Sequence, residues 1–107
     1  MNILFICTFN RFRSLTAEQV FKNHPYNIVR SAGTSVNARR RVTKMDVNWA
    51  DIVFVMEDKH QNILEERYPT QTLSKKIISL DIPDIYPYMD EELVQILKQS
   101  LSEYLKI

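Results

Sequence analysis

The chain has 107 residues, 45% of them hydrophobic, with 14 Lys and Arg set against 13 Asp and Glu. That length suits one domain over residues 1–107 with a single buried core, and the near-balance of charge excludes a general field that would draw nucleic acid or an anionic membrane. The one cysteine, Cys7, excludes an internal disulfide and a cysteine-rich zinc site; with His24 and His60 too far apart for a short ligand pair, no metal is expected.

No run approaches the roughly 18 apolar residues of a membrane span, and no basic segment with a following apolar stretch opens the chain. A cytoplasmic protein is therefore expected, in a reducing compartment where a free thiol survives. Cys7 is then either inert packing or a reagent.

In chain order, Asn2 to Ile6 is a continuous apolar run that suits a strand buried on both faces, and it ends at Cys7. Ser14 to Asn23 reads as a helix, with Ser14 or Thr16 as its cap, Glu18 in its first turn, and Ala17, Val20 and Phe21 on one face. Tyr26 to Ser31 reads as a second strand, followed by the only glycine, Gly33, and an irregular stretch from Thr34 to Arg41. Thr43 to Trp49 is weakly helical. Asp51 to Met56 is the clearest buried strand, and Asp58 to Tyr68 is a helix that Pro69 stops. Lys76 to Leu80 is a fourth strand. The last helix starts from Asp90 as N-cap and repeats Leu93, Ile96, Leu97, Leu101, Tyr104 and Leu105 at helical spacing. Strands alternating with helices imply right-handed crossovers and an α/β fold, a three-layer α/β/α sandwich around a four-stranded parallel sheet.

In such sheets ligands bind beyond the carboxyl ends of the strands, where the segments beginning at Cys7 and Asp81 both emerge. The loop Cys7-Thr8-Phe9-Asn10-Arg11-Phe12-Arg13-Ser14 joins the first strand to a helix N-terminus, where unpaired N–H groups and the helix dipole favour an anion. A cysteine there is expected to have a lowered pKa and to react as the thiolate. Arg13 offers a planar fork for two phosphate oxygens.

Cys-x5-Arg-Ser after a short N-terminal apolar strand resembles the signature of the low-molecular-weight protein tyrosine phosphatases, which is shared with the related thioredoxin-coupled arsenate reductases. Ser31-Ala32-Gly33-Thr34, the strand Ala50 to Met56, and Ile82-Pro83-Asp84-Ile85-Tyr86 resemble further family segments in the family's order. The resemblance implies Cys7 as nucleophile forming a phosphocysteine, Arg13 as oxyanion clamp, and Asp84 as general acid. It places Thr8, Phe9, Asn10, Arg11, Phe12 and Ser14 around the bound phosphate. Ser14 would donate to the sulfur, Asn10 would shape the loop and Ser31 would brace it. No cofactor is implied.

The chain also departs from the family pattern. Phe9 stands where the family has glycine, Phe12 replaces a second cysteine, and Leu15 replaces a proline. Ile85 replaces the proline after the acid, which leaves Asp81 as a rival to Asp84. The chain is shorter than typical members just before Asp84. Without the second cysteine, Cys7 loses the family's disulfide protection against over-oxidation, and arsenate reduction is disfavoured.

The expected activity is hydrolysis of phosphotyrosine-like aryl phosphate monoesters. A phosphorylated protein or small aryl phosphate is the partner, orthophosphate the product, and a monomer or weak dimer the working form. A phosphate-binding module with little turnover is the alternative, motivated by Phe9 and Phe12. Tyr86 and Tyr88 are read as pocket flanks or half-buried packing, Arg39-Arg40-Arg41 as a solvated loop, Trp49 as core or a lid over it, and His60 as an exposed helix residue.

Overall fold

The structure, a computed structural model, describes residues 1–105. Four strands, β1 (Asn2–Cys7), β2 (Ile28–Gly33), β3 (Ile52–Val55) and β4 (Lys76–Ser79), form one sheet in the order β2-β1-β3-β4, and every pairing is parallel. Five helices accompany them: α1 (Arg13–Phe21), α2 (Lys44–Trp49), α3 (Asp58–Arg67), α4 (Pro69–Thr72) and α5 (Glu91–Leu105). None is long and apolar enough to cross a membrane.

The alternation of side chains along β1 divides the core between two faces. Ile3 and Phe5 join Phe21, Phe54, Leu93, Leu97 and Leu101 beneath α1 and α5, whereas Leu4 and Ile6 join Val47, Val53, Val55 and Leu64 beneath α2 and α3. Both faces of β1 are thus covered, which is why its sequence reads as an unbroken apolar run rather than an alternating one. Phe5 is central, stacked between Phe21 at 5.9 Å and Phe54 at 5.8 Å.

The elements match the expected order with small shifts in their ends. Pro69 closes α3 but does not end the helical path. As the first residue of α4 it has no N–H to leave unpaired, so a second short helix starts at once. Neither Ser14 nor Thr16 caps α1. The cap position is Phe12, without a side-chain hydrogen bond, because Ser14 lies inside the helix and is used elsewhere, while Thr16 Oγ1 accepts the Met89 N–H at 3.0 Å. Glu18 likewise lies beyond the first turn. The Asp90 cap is present, its carboxylate accepting the Leu93 N–H at 3.1 Å.

Beyond β2 the chain folds under the loop that follows β1. Gly33 is required by proximity: a Cβ there would lie 2.5 Å from the Thr8 carbonyl oxygen and 2.7 Å from Ala38 Cβ. Backbone on one side of it cannot yield as a flexible side chain would.

Gly33→Ala should cost about 1–3 kcal/mol through this overpacking, read as a fall in Tm of roughly 5–15 °C for a domain of this size. Phe5→Ala, which empties the stacked centre, should cost about 3–5 kcal/mol in denaturant titration.

Candidate active site

The loop between β1 and α1 is held from below by residues 34–39. The carbonyls of Cys7, Thr8 and Phe9 accept the N–H groups of Thr34, Ser35 and Arg39 at 3.0 Å each, and the Asn10 carbonyl accepts from Arg39 Nε at 3.2 Å. In a planar trans peptide the next N–H points opposite the carbonyl. Binding these carbonyls outward therefore turns the amides of residues 8–11 toward the inside of the loop. The Asn10 N–H shows this directly, donating to Cys7 Sγ at 3.2 Å.

Asn10 has φ 55°, a left-handed backbone that Asn tolerates better than most residues. Its side chain is buried and fully bonded, Nδ2 donating to Ser14 Oγ and to Ser31 Oγ at 2.8 Å each. The Ser31 hydroxyl donates to Glu18 Oε1 at 2.8 Å, and Ser14 Oγ lies 2.9 Å from Cys7 Sγ. Because Ser14 accepts from Asn10, its own proton is free for the sulfur.

Arg13 is only 2% exposed. Its Nη1 donates to Glu57 Oε1 at 2.5 Å and to the Ile82 carbonyl at 2.8 Å, while Nε lies 3.6 Å from Asp84 Oδ1. The hydrogen bond from Arg13 holds the Glu57 carboxyl below its ordinary range, against the opposing effect of partial burial.

Glu57 follows β3 after Met56, and three residues on stands His60. His60 is not an exposed helix residue: it is fully buried, its Nδ1 accepting the Glu57 N–H at 3.1 Å and its Nε2 lying 2.9 Å from Thr8 Oγ1. With Nδ1 an acceptor, Nε2 carries the proton and donates it to Thr8. Burial, reinforced by the Arg13 cation, lowers the His60 pKa to about 4, so the ring is neutral.

These elements surround a narrow cleft lined by Cys7, Thr8, Phe9, Arg11, Phe12, Arg13 and Asp84. Phe9 and Phe12 are 44% and 46% exposed, so neither crowds the floor; both form the rim. Asp84 enters the lining and Asp81 does not. Asp81 instead takes φ 55° at a turn, where Ile82 N–H then reaches the Met56 carbonyl at 2.8 Å. Of the three arginines read as a solvated loop, Arg39 and Arg41 are exposed, though Arg39 is also bonded to Asn10; Arg40 is half-buried and bonded to Asp46 and the Ser31 carbonyl. Tyr86 packs against the core, and Trp49 lies under Arg30 at 4.0 Å. A wider hollow at the far end of α1 is lined by Val20, Phe21, Asn23, His24 and Lys98, away from Cys7.

No protein-family model and no curated relative matches the sequence. Solved structures do match. The YwlE arginine phosphatase from Geobacillus stearothermophilus superposes with a TM-score of 0.77 at 25% identity, over 98% of this chain and 92% of that one. Vibrio vulnificus Wzb in complex with benzylphosphonate gives 0.80 at 22% identity, over 98% and 97% of the two chains. SP-PTP, a low-molecular-weight protein tyrosine phosphatase from Streptococcus pyogenes, gives 0.79 at 20%, over 98% and 91%. The chain has the fold of the low-molecular-weight protein tyrosine phosphatases.

Within that fold, sequence reasoning missed Glu57, His60, Glu18 and Arg39. The first two had a usable signal, since they follow β3 at the same carboxyl edge of the sheet as Cys7. Glu18 and Arg39 had none.

A histidine whose folded pKa lies below its unfolded value takes up protons on unfolding, so stability falls as pH drops from about 6.5 toward 4. The full effect of a shift this large is on the order of 3 kcal/mol. Denaturant titrations should show this slope in the wild type. His60→Asn, whose side-chain oxygen can still accept the Glu57 N–H, should flatten it, leaving the further loss below pH about 4.5 that arises from Glu57.

Proposed function

We propose that this chain is a phosphatase hydrolysing phosphotyrosine-like aryl phosphate monoesters through a phosphocysteine intermediate. The observation that carries the reading is the setting of Cys7. Its sulfur receives the Asn10 N–H and faces the Ser14 hydroxyl at the floor of a cleft whose walls hold Arg13 and Asp84. The sulfur is the attacking atom, and both donors are placed to orient it toward the cleft. A further solved neighbour, a YwlE arginine phosphatase variant with a phosphorylated active site serine, supports attack from this position of the fold.

In the first step Cys7 Sγ bonds to phosphorus as the ester P–O bond breaks. The inward amides of residues 8–11 and the Nε edge of Arg13 take the charge of the transferring oxygens. Arg13 reaches the cleft already oriented, because Glu57 and the Ile82 carbonyl occupy its Nη1. Asp84 gives its proton to the departing oxygen. In the second step Asp84 takes a proton from water, the water oxygen bonds to phosphorus, the S–P bond breaks, and orthophosphate leaves.

Neighbours of this fold include both tyrosine and arginine phosphatases by name, so the cleft wall must decide between leaving groups. Arg11 lines it as an exposed cation, which repels a guanidinium. Phe9 and Phe12 offer apolar surface to an aromatic ring. Both features favour an aryl phosphate.

Steady-state hydrolysis of para-nitrophenyl phosphate tests this. Cys7→Ser should abolish turnover, Asp84→Asn should lower kcat by about a hundredfold as loss of a general acid does, and Asp81→Asn should stay near wild type. Free phosphoarginine should turn over more slowly than the aryl ester, and Arg11→Ala should narrow that gap. Wild-type turnover no higher than that of Cys7→Ser, with orthophosphate still bound, would instead make the chain a phosphate-recognition module.

A further inference from the structure

Arg39 lies outside the cleft lining, yet it makes three hydrogen bonds to two consecutive loop residues. Its backbone N–H donates to the Phe9 carbonyl at 3.0 Å, Nε to the Asn10 carbonyl at 3.2 Å, and Nη2 to Asn10 Oδ1 at 2.9 Å. Asn10 carries the left-handed turn and its carboxamide has no unused donor, since both Nδ2 protons go to Ser14 and Ser31. The orientation of that carboxamide is the critical variable. A flip would set Nδ2 against the Arg39 guanidinium, donor against donor, and turn Oδ1 toward two hydroxyls. Ser14 would then be drawn to donate to Oδ1 instead of to sulfur.

We propose that Arg39 is a positioning residue: its fork clamps the Asn10 carboxamide and so aims the Ser14 hydroxyl and the Asn10 amide at Cys7. The direction of every donor in the network follows from its two ends. At one end Glu18 can only accept, which sends the Ser31 proton outward and makes the Ser31 oxygen an acceptor for Asn10. At the other end Arg39 can only donate, which makes Oδ1 the acceptor and Nδ2 the donor. With Asn10 donating to Ser14, the Ser14 proton has Cys7 Sγ at 2.9 Å and only the Ala32 carbonyl, at 3.5 Å, as a competitor. The assignment of phosphate to this loop rests on the function proposed above; the clamp itself does not.

The test compares Arg39→Ala, Arg39→Lys and Arg41→Ala with wild type. Lysine keeps the charge but cannot reproduce the two-pronged contact, and Arg41 is a neighbouring exposed arginine. Three readouts are taken well below each Tm: orthophosphate affinity by calorimetry, the rate of iodoacetamide alkylation, which reports on Cys7 alone because it is the only cysteine, and hydrogen exchange of the Asn10 side-chain amide by NMR. Both Arg39 variants should lose about tenfold in affinity and in alkylation rate, the scale of one charge-assisted hydrogen bond, and should expose the Asn10 amide to exchange. Arg41→Ala should match wild type.

Arg39→Lys indistinguishable from wild type would overturn the proposal in favour of charge alone. A lowered Tm with all three readouts unchanged would overturn it in favour of a purely structural contact. If Arg39→Ala does not fold, the lysine variant decides. Wild type that binds no orthophosphate would defeat the proposed function, while Asn10 exchange would still test the clamp.

Discussion

Four consecutive carbonyls, from Cys7 to Asn10, accept hydrogen bonds from the segment 34–39 that runs beneath them. Peptide planarity then leaves the following N–H groups no choice but to converge on the other side. The inward turn of these amides is therefore imposed from outside the loop. It depends on the two backbones passing at a distance that admits no Cβ, and Gly33 sits at that crossing. The only glycine in the chain is spent there rather than in a left-handed turn, and Asn10 supplies the left-handed residue instead.

A second constraint is the burial of a cation. Arg13 lies within the protein, and a buried guanidinium is tolerated only with partners that replace its hydration. Glu57 and the Ile82 carbonyl supply them on one edge, fixing the side chain while leaving its Nε edge toward Asp84 and the cleft. The same carboxylate-bearing residue orients His60 through its backbone N–H, and His60 in turn donates to Thr8. The far wall of the cleft is thus organised from the end of β3, as its floor is organised from the end of β2.

Phe9 and Phe12 show how the loop accommodates residues unlike the usual family pattern. Their backbone atoms do the structural work while the side chains turn to the surface, where bulk costs nothing in packing. The result is a cleft with a polar floor and an apolar rim.

Much of the fold was legible in the residues. A β1 buried on both faces, an α5 with leucines at helical spacing and a short loop at residues 8–12 between strand and helix are local patterns, and local patterns are written consecutively. The gathering of Cys7, Arg13 and Ser14 is local for the same reason. What the sequence could not show were relations set by chain crossings: Glu18 reaching Ser31, Arg39 reaching Asn10, and Glu57 reaching Arg13. The distinction between Asp84 and Asp81 belongs here too. Both follow β4 within a few residues, and only the left-handed turn at Asp81 and the course of the chain after it bring Asp84 to the cleft. His60, polar and flanked by polar residues, reads as solvent-facing, yet it is buried because the loop above it supplies a hydroxyl at hydrogen-bonding distance. Sequence alone determined most of the elements and the loop that carries Cys7. Tertiary structure decided which distant polar groups satisfy that loop, since a buried hydrogen bond is specified by position in space and not by spacing along the chain.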